Sequence, residues 1–239
     1  MEAHGQGPAV LLTHGFGATG RMWDEQIEEF TGRYRLIAWD LPGHGESRFP
    51  KRTIGPDALA DDMAAVLDAA EEDRAVAIGL GVGGALSLRF WRRHPRRVRG
   101  LVLIGTMPGL RGPIVRDIAN NRAESQAAAL ERDGLDALEG GAEADPRLHA
   151  NAEELAAAAR LLLIQGDDGA LPWLTEIDVP VLILVGGEDR PNLTAADYMA
   201  RMIPDARKVI IPRANHAANI HKPEAVNAAI RTFLGRLPS

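Results

Sequence analysis

A glycine-rich turn in the first half of the chain has a residue spacing that could serve chemistry. Four glycines, Gly79, Gly81, Gly83 and Gly84, occur within six residues, between an apolar strand and an apolar helix. The turn could be the G-x-S-x-G type that lifts a nucleophile above a sheet, with Gly81 at the nucleophile position. It also satisfies the G-x-G-x-x-G spacing that cradles a dinucleotide, and it could simply pack strand against helix.

The nucleophile-turn interpretation requires three further features, and the sequence contains all of them. An oxyanion loop should follow an early strand, and His14-Gly15-Phe16-Gly17 occupies that place. An acid should follow a late strand, where Asp189 stands, and a histidine should follow the last strand, where His216 stands. The chain order of turn, acid and histidine is the order that this interpretation predicts.

The dinucleotide interpretation is weaker. It requires an acid at the end of the next strand to hold a ribose hydroxyl, and Ile104-Gly105-Thr106 has no carboxylate there. A P-loop is excluded as well, because no Lys-Ser/Thr pair follows the glycines.

Together with the loop Asp40-Leu41-Pro42-Gly43-His44-Gly45-Glu46-Ser47, these motifs closely resemble the α/β-hydrolase superfamily over residues 9–234. The nearest resemblance is to the small esterases, lactonases and C–C hydrolases with a helical cap. It implies an α/β fold with a mostly parallel sheet and helices on both faces. It also implies a catalytic His216 oriented by Asp189, with Glu188 as the second choice of acid. Backbone N–H groups of Phe16 and Val82 would hold an oxyanion.

Gly81 departs from this family, because glycine has no side chain to act as a nucleophile. The chain could be a deliberately inactivated variant, or a binding module that has lost hydrolysis. It could also use His216 and Asp189 as a general base on water or on a substrate C–H or O–H group. The first-choice function is hydrolase-type chemistry on a small ester or lactone. The alternatives are a lyase, isomerase or cyclase that uses the same two residues, and a non-catalytic binding module.

Three large side chains could line the substrate pocket, namely Trp23, Met107 and Trp173, although core packing explains each of them equally well. His14 and His44 are expected to hold their turns. The histidines without metal-ligand spacing are His4, His94, His149 and His221. No metal site and no cofactor are therefore expected.

Apolar runs and turn residues predict strands over 9–13, 34–39, 75–78, 98–104, 179–185 and 207–211. Helices are predicted over 22–30, 57–70, 85–91, 114–132, 152–164, 193–203 and 223–234. Because no convincing strand occurs between 109 and 178, residues 107–178 are predicted to form a helical cap. The cap would interrupt a core made of 1–106 and 179–239, with glycines at 140–141 and 166–169 between its segments.

Composition limits the class of protein. A chain of 239 residues that is 46% hydrophobic can bury the core of one α/β domain. A net charge of −6 favours neither nucleic acid nor an anionic membrane, and the absence of cysteine excludes disulfides. No signal peptide and no apolar run of about 20 residues is present, so a cytoplasmic protein with a small-molecule substrate is expected.

The segment before the first strand is short. Eight residues precede Ala9, too few for the antiparallel hairpin with which the family usually begins. Without that hairpin the strand at 34–40 is expected at a sheet edge, where its unpaired backbone groups predict a homodimer or a covering segment.

Overall fold

The computed structural model describes residues 1–51, 54–110, 112–166 and 171–237. The strands are β1 (Glu2–His4), β2 (Ala9–Thr13), β3 (Arg35–Trp39), β4 (Ala75–Leu80), β5 (Val98–Ile104), β6 (Val181–Gly186) and β7 (Ala206–Ile211). They form one sheet in the order β1-β3-β2-β4-β5-β6-β7. β1 is antiparallel to β3, and every other neighbouring pair is parallel.

Helices cover both faces of this sheet. They are α1 (Asp24–Phe30), α2 (Pro56–Ala69), α3 (Val82–Arg93), α4 (Pro113–Asp133), α5 (Ala152–Leu163), α6 (Arg190–Met202), α7 (Ala218–His221) and α8 (Pro223–Leu234). α2, α3 and α6 share a core with Leu11 and Leu103, whereas α1 and α8 share the other core with Leu12 and Ile104. Burial on both faces explains why β2, β4 and β5 are continuous apolar runs. No helix among the described residues is both long enough and apolar enough to cross a bilayer.

The chain between β5 and β6 is helical. In its described part, residues 107–178 contain helices and turns but no strand. α4 and α5 pack together through a small core that includes Ala127, Leu130 and Leu155, and Phe16 packs against it. The predicted helices 114–132 and 152–164 agree with these bounds to within one residue at each end. The glycine turn predicted at 166–169 lies, after residue 166, outside the described residues.

The expectation that the strand at 34–40 forms a sheet edge is wrong. β1 pairs with β3 through Glu2 with Ala38 and His4 with Leu36, so β3 lies between two strands of its own chain. Gly5 and Gly7 adopt φ values of +77° and +112°, which let the chain double back after only three strand residues. Because β3 has no free edge, the reason for expecting a dimer along it no longer applies.

Candidate active site

Gly81 alone joins β4 to α3. The sequence predicted a helix from Ala85, but the strand runs to Leu80 and the helix begins at Val82. Gly81 has φ +54° and ψ −114°, a conformation that residues with a side chain adopt only under strain. Its N–H donates a hydrogen bond to Ile104 O at 2.9 Å, which ties the turn to the end of β5.

The other glycines of the turn are required by close packing. A Cβ at Gly79 would collide with the backbone of Gly83, and a Cβ at Gly83 would collide with the carbonyl oxygen of Thr13. A Cβ at Gly84 would collide with Oγ1 of Thr106. Close contact with neighbouring backbone and with the Thr106 side chain therefore accounts for these glycines without a bound nucleotide.

The imidazole of His216 lies against this turn, in the loop between β7 and α7. A Cβ built at Gly81 would lie 3.0 Å from Nε2 of His216, and a Cβ built at Gly105 would lie 2.8 Å from Nδ1. Glycine at both positions lets the ring fit between the ends of β4 and β5. Nε2 consequently faces the place that a side chain at residue 81 would occupy.

The second ring nitrogen of His216 has the predicted acid as its partner. Nδ1 lies 3.2 Å from Oδ2 of Asp189, a buried carboxylate between β6 and α6. Asn192 donates to both oxygens of Asp189, at 3.0 Å and 2.9 Å. Glu188, the second choice of acid, is exposed. Sequence reasoning missed Asn192, although an amide three residues after the acid, in the first helical turn, was an available signal.

These contacts shift the pKa of both partners. Burial alone would lower the pKa of His216, but its hydrogen bond to Asp189 and the charges of Glu143 and Asp189 outweigh burial and raise it. Burial alone would raise the pKa of Asp189, but hydrogen bonds from His216 and Asn192 lower it. An ionised carboxylate therefore adjoins an imidazole of increased basicity, which is the arrangement of a general base.

Two backbone N–H groups have no acceptor within the described part of the chain, those of Phe16 and Val82. Phe16 follows β2, and Val82 is the first residue of α3, where helix geometry leaves the N–H unbonded. Both residues line the same cavity as Gly81 and His216. Unbonded N–H groups at such a site can hold the charge that develops on a carbonyl oxygen.

Three buried histidines support the loop at residues 14–17. The ring of His44 lies between those of His14 and His149, with centroid distances of 4.9 Å and 5.6 Å. Nε2 of His149 donates to Gly17 O at 2.8 Å. Burial lowers the pKa of all three rings, and that of His14 falls to about 4. The rings are therefore neutral at neutral pH and act as packing and hydrogen-bonding groups. In the described part of the chain, no three His, Asp or Glu side chains are arranged to hold a metal ion.

A cavity of about 1040 Å³ lies above the turn. Met107 lines it, as the sequence suggested, together with Leu138, Glu143 and Ile164 from the helical segment. Gly81 and His216 form part of the same wall. The candidate catalytic groups and the helical segment therefore line the same cavity.

The predictions that Trp23 and Trp173 line the pocket are wrong. Trp23 is fully buried in the core shared by α1 and α8, and Trp173 packs against Trp91 with ring centroids 6.0 Å apart. Arg92 lies over the ring of Trp173, at 5.8 Å from its centroid. Neither tryptophan is among the described residues that line the cavity. Residue type alone does not show whether an aromatic side chain packs in a core or lines a pocket, and both of these side chains pack against core residues.

Comparison with known proteins identifies the class. A family model described as the alpha/beta hydrolase family matches residues 10–229, and the chain belongs to that family. It is 30% identical to the pimeloyl-[acyl-carrier protein] methyl ester esterase of Chromobacterium violaceum, over 95% of each chain. It is 29% identical to a Bacillus subtilis protein provisionally named 2-succinyl-6-hydroxy-2,4-cyclohexadiene-1-carboxylate synthase, over 95% of this chain and 90% of the relative. The solved structure of MenH from S. aureus has the same fold, with a TM-score of 0.89 at 24% identity, covering 98% of this chain and 97% of that one.

Proposed function

We propose that the protein hydrolyses a small, largely uncharged ester or lactone without forming an acyl-enzyme. His216 is the general base, Asp189 orients it, and the N–H groups of Phe16 and Val82 receive the carbonyl oxygen. Family membership and the relative named as a methyl ester esterase support chemistry on an acyl compound. The observation that carries the proposal is the placement of the His216 imidazole. Its Nε2 lies 3.0 Å from the Cβ position of residue 81, and its Nδ1 is hydrogen-bonded to Asp189.

In this mechanism water takes the role that a serine hydroxyl has in the family. As the water oxygen bonds to the carbonyl carbon, Nε2 of His216 removes a proton from it and the π electrons move onto the carbonyl oxygen. The N–H groups of Phe16 and Val82 stabilise that oxyanion. When the oxyanion collapses, the bond to the alcohol oxygen breaks and the departing oxygen takes the proton from Nε2. The products are an acid and an alcohol, and the imidazole returns to its neutral form.

We assign residues 107–178 the role of a cap over this reaction. Leu138, Ile164 and Met107 give the cavity wall apolar surface, which suits the uncharged part of an acyl compound. α4 and α5 contribute to this wall, and in the proposed role they reduce the access of bulk water.

Hydrolysis of p-nitrophenyl acetate and γ-butyrolactone by the unmodified chain tests the mechanism. We expect turnover without a burst and no acyl adduct by mass spectrometry, because residue 81 has no nucleophile. His216→Ala should lower kcat by about 100-fold or more. A covalent adduct, hydrolysis that survives His216→Ala, or failure to hydrolyse either compound would overturn the proposal.

A second candidate is a lyase, isomerase or cyclase reaction in which Nε2 of His216 removes a proton from a carbon beside a carbonyl group. Two observations favour it: residue 81 has no side chain between Nε2 and the cavity, and one relative is named a synthase. Exchange of the α-protons of added ester with D2O, followed by NMR, separates the two reactions. Exchange that requires His216 and proceeds without hydrolysis would favour this candidate.

A further inference from the structure

In its described part, the helical segment contributes two carboxylates to the cavity wall, those of Glu139 and Glu143. Glu143 lies in a turn closed by a hydrogen bond from Ala144 N–H to Gly141 O at 3.2 Å. The turn rests on the loop at residues 14–17, because a Cβ at Gly17 would lie 3.3 Å from Cβ of Ala144. This contact fixes the turn of Glu143 next to residue 17, and Glu143 lines the same cavity as Phe16, Val82 and His216.

The carboxylate of Glu143 has no donor within the described part of the chain. Its Oε2 is shielded from solvent and has no hydrogen-bond partner. Oε2 packs against residue 141, where a Cβ would lie only 2.5 Å from it, so a side chain at this position would collide with the carboxylate. Oε1 of this half-buried side chain is not shielded and also has no hydrogen-bond partner in the described part of the chain, so Oε1 is the oxygen that a donor on a bound ligand can reach.

Other charged side chains of the cavity wall are in different situations. Glu139 and Glu188 are exposed and solvated. Asp189 is hydrogen-bonded to the imidazole, and Arg89 forms an ion pair with Asp57 at 3.1 Å. Arg122, on α4, is an exposed cation of the same wall. The charge of Glu143 also contributes to the raised pKa of the imidazole, which places it within electrostatic range of the reacting atoms.

We propose that Glu143 forms a donor-binding subsite and that the otherwise uncharged substrate carries one hydrogen-bond donor, a hydroxyl or ammonium group, on its acyl part. The carboxylate accepts a hydrogen bond from that group while the carbonyl lies at the N–H groups of Phe16 and Val82. The inference deepens the proposed hydrolysis and rests on it for the position of the acyl group. It predicts selection against substrates with a carboxylate at the same place, because two like charges repel.

Four ethyl esters test the proposal with the full chain: ethyl butanoate, ethyl 3-hydroxybutanoate, ethyl 3-aminobutanoate and monoethyl succinate. KM for the hydroxy and amino esters should be about tenfold below that of ethyl butanoate, as expected for a hydrogen bond to a charged group. Monoethyl succinate should have the highest KM. Glu143→Gln should remove the preference for the amino ester, and Glu143→Asp should keep part of it. Glu139→Gln, which neutralises an exposed carboxylate of the same wall, should leave it unchanged.

Calorimetric titration of the same esters into His216→Ala separates this proposal from the proposed hydrolysis. If the unmodified chain hydrolyses none of the esters, yet His216→Ala binds the amino and hydroxy esters preferentially and loses the preference on adding Glu143→Gln, the subsite stands and hydrolysis falls. The subsite is refuted by equal affinities, by a preference that survives Glu143→Gln, or by tightest binding of monoethyl succinate.

Discussion

The substitution Gly81→Ser tests whether the protein has a hydrolase site that lacks only its nucleophile. A Cβ at residue 81 would lie 3.0 Å from Nε2 and 3.3 Å from Cε1 of His216. The imidazole must therefore retreat by about 0.5 Å to restore ordinary contact distances. After that movement the serine hydroxyl would lie within hydrogen-bond reach of Nε2, as in an activated nucleophile.

The same substitution has a calculable effect on stability. Residue 81 has φ +54° and ψ −114°, and a side chain in such a conformation costs about 1–3 kcal/mol. Gly81→Ala is the matched control, because it adds the same Cβ without the hydroxyl. Chemical denaturation should show the free energy of unfolding lowered by about 1–3 kcal/mol in both variants. A loss confined to the serine variant would contradict the strain argument.

Activity separates the two variants. Gly81→Ser should hydrolyse p-nitrophenyl acetate with a burst, at about 100 times the rate of Gly81→Ala or more, and a fluorophosphonate should label it. Adding His216→Ala should abolish both reactions. A serine variant that folds, has its hydroxyl bonded to His216, and reacts with neither reagent would refute the reasoning. The space above residue 81 would then belong to a substrate and not to a missing nucleophile.

Three further results are expected. His14 has a pKa of about 4, below its ordinary value, so the unfolded chain binds a proton at this residue before the folded chain does. The free energy of unfolding should therefore fall by about 3 kcal/mol between pH 6.5 and pH 4. Urea titrations of His14→Gln should show a smaller fall over the same pH range. Glu143→Gln should shift the acid limb of the hydrolysis profile to lower pH, because the lost charge helps to raise the pKa of His216; an unmoved limb would contradict this. Asn192→Ala should raise the carboxyl pKa of Asp189 in NMR titrations and lower kcat about tenfold, and an unchanged pKa would disprove the link.

Much of the fold could be predicted because a parallel sheet covered on both faces leaves a strong signal. The strand Val98–Ile104 and the helix Pro223–Leu234 have the bounds that hydrophobic runs and proline predicted. β1 has no such signal, since three partly exposed residues have no periodicity and find their place only by pairing with β3. Asp189 and His216 were found from their places after strands, and their separation of 3.2 Å agrees with that reasoning.

The rest of the site depends on tertiary packing. The carboxylate of Glu143 reaches the cavity because Ala144 seats against Gly17, a contact between residues 127 positions apart. No local sequence pattern predicts a contact between residues so far apart in the chain. Trp23 illustrates the opposite error, because an aromatic residue near the early loop is fully buried in the core shared by α1 and α8.

The proposed general-base role accounts for the network around His216 better than a contribution to stability does. Its side chain is 39% exposed, and ion pairs at partly exposed positions contribute little to the free energy of folding. Asp189 is buried, so its ionised form is a cost that hydrogen bonds from His216 and Asn192 only offset. Glycine at residue 81 meanwhile relieves the strain that a side chain would impose on the turn. The fold therefore does not require an imidazole whose free nitrogen faces the cavity, whereas general-base catalysis does.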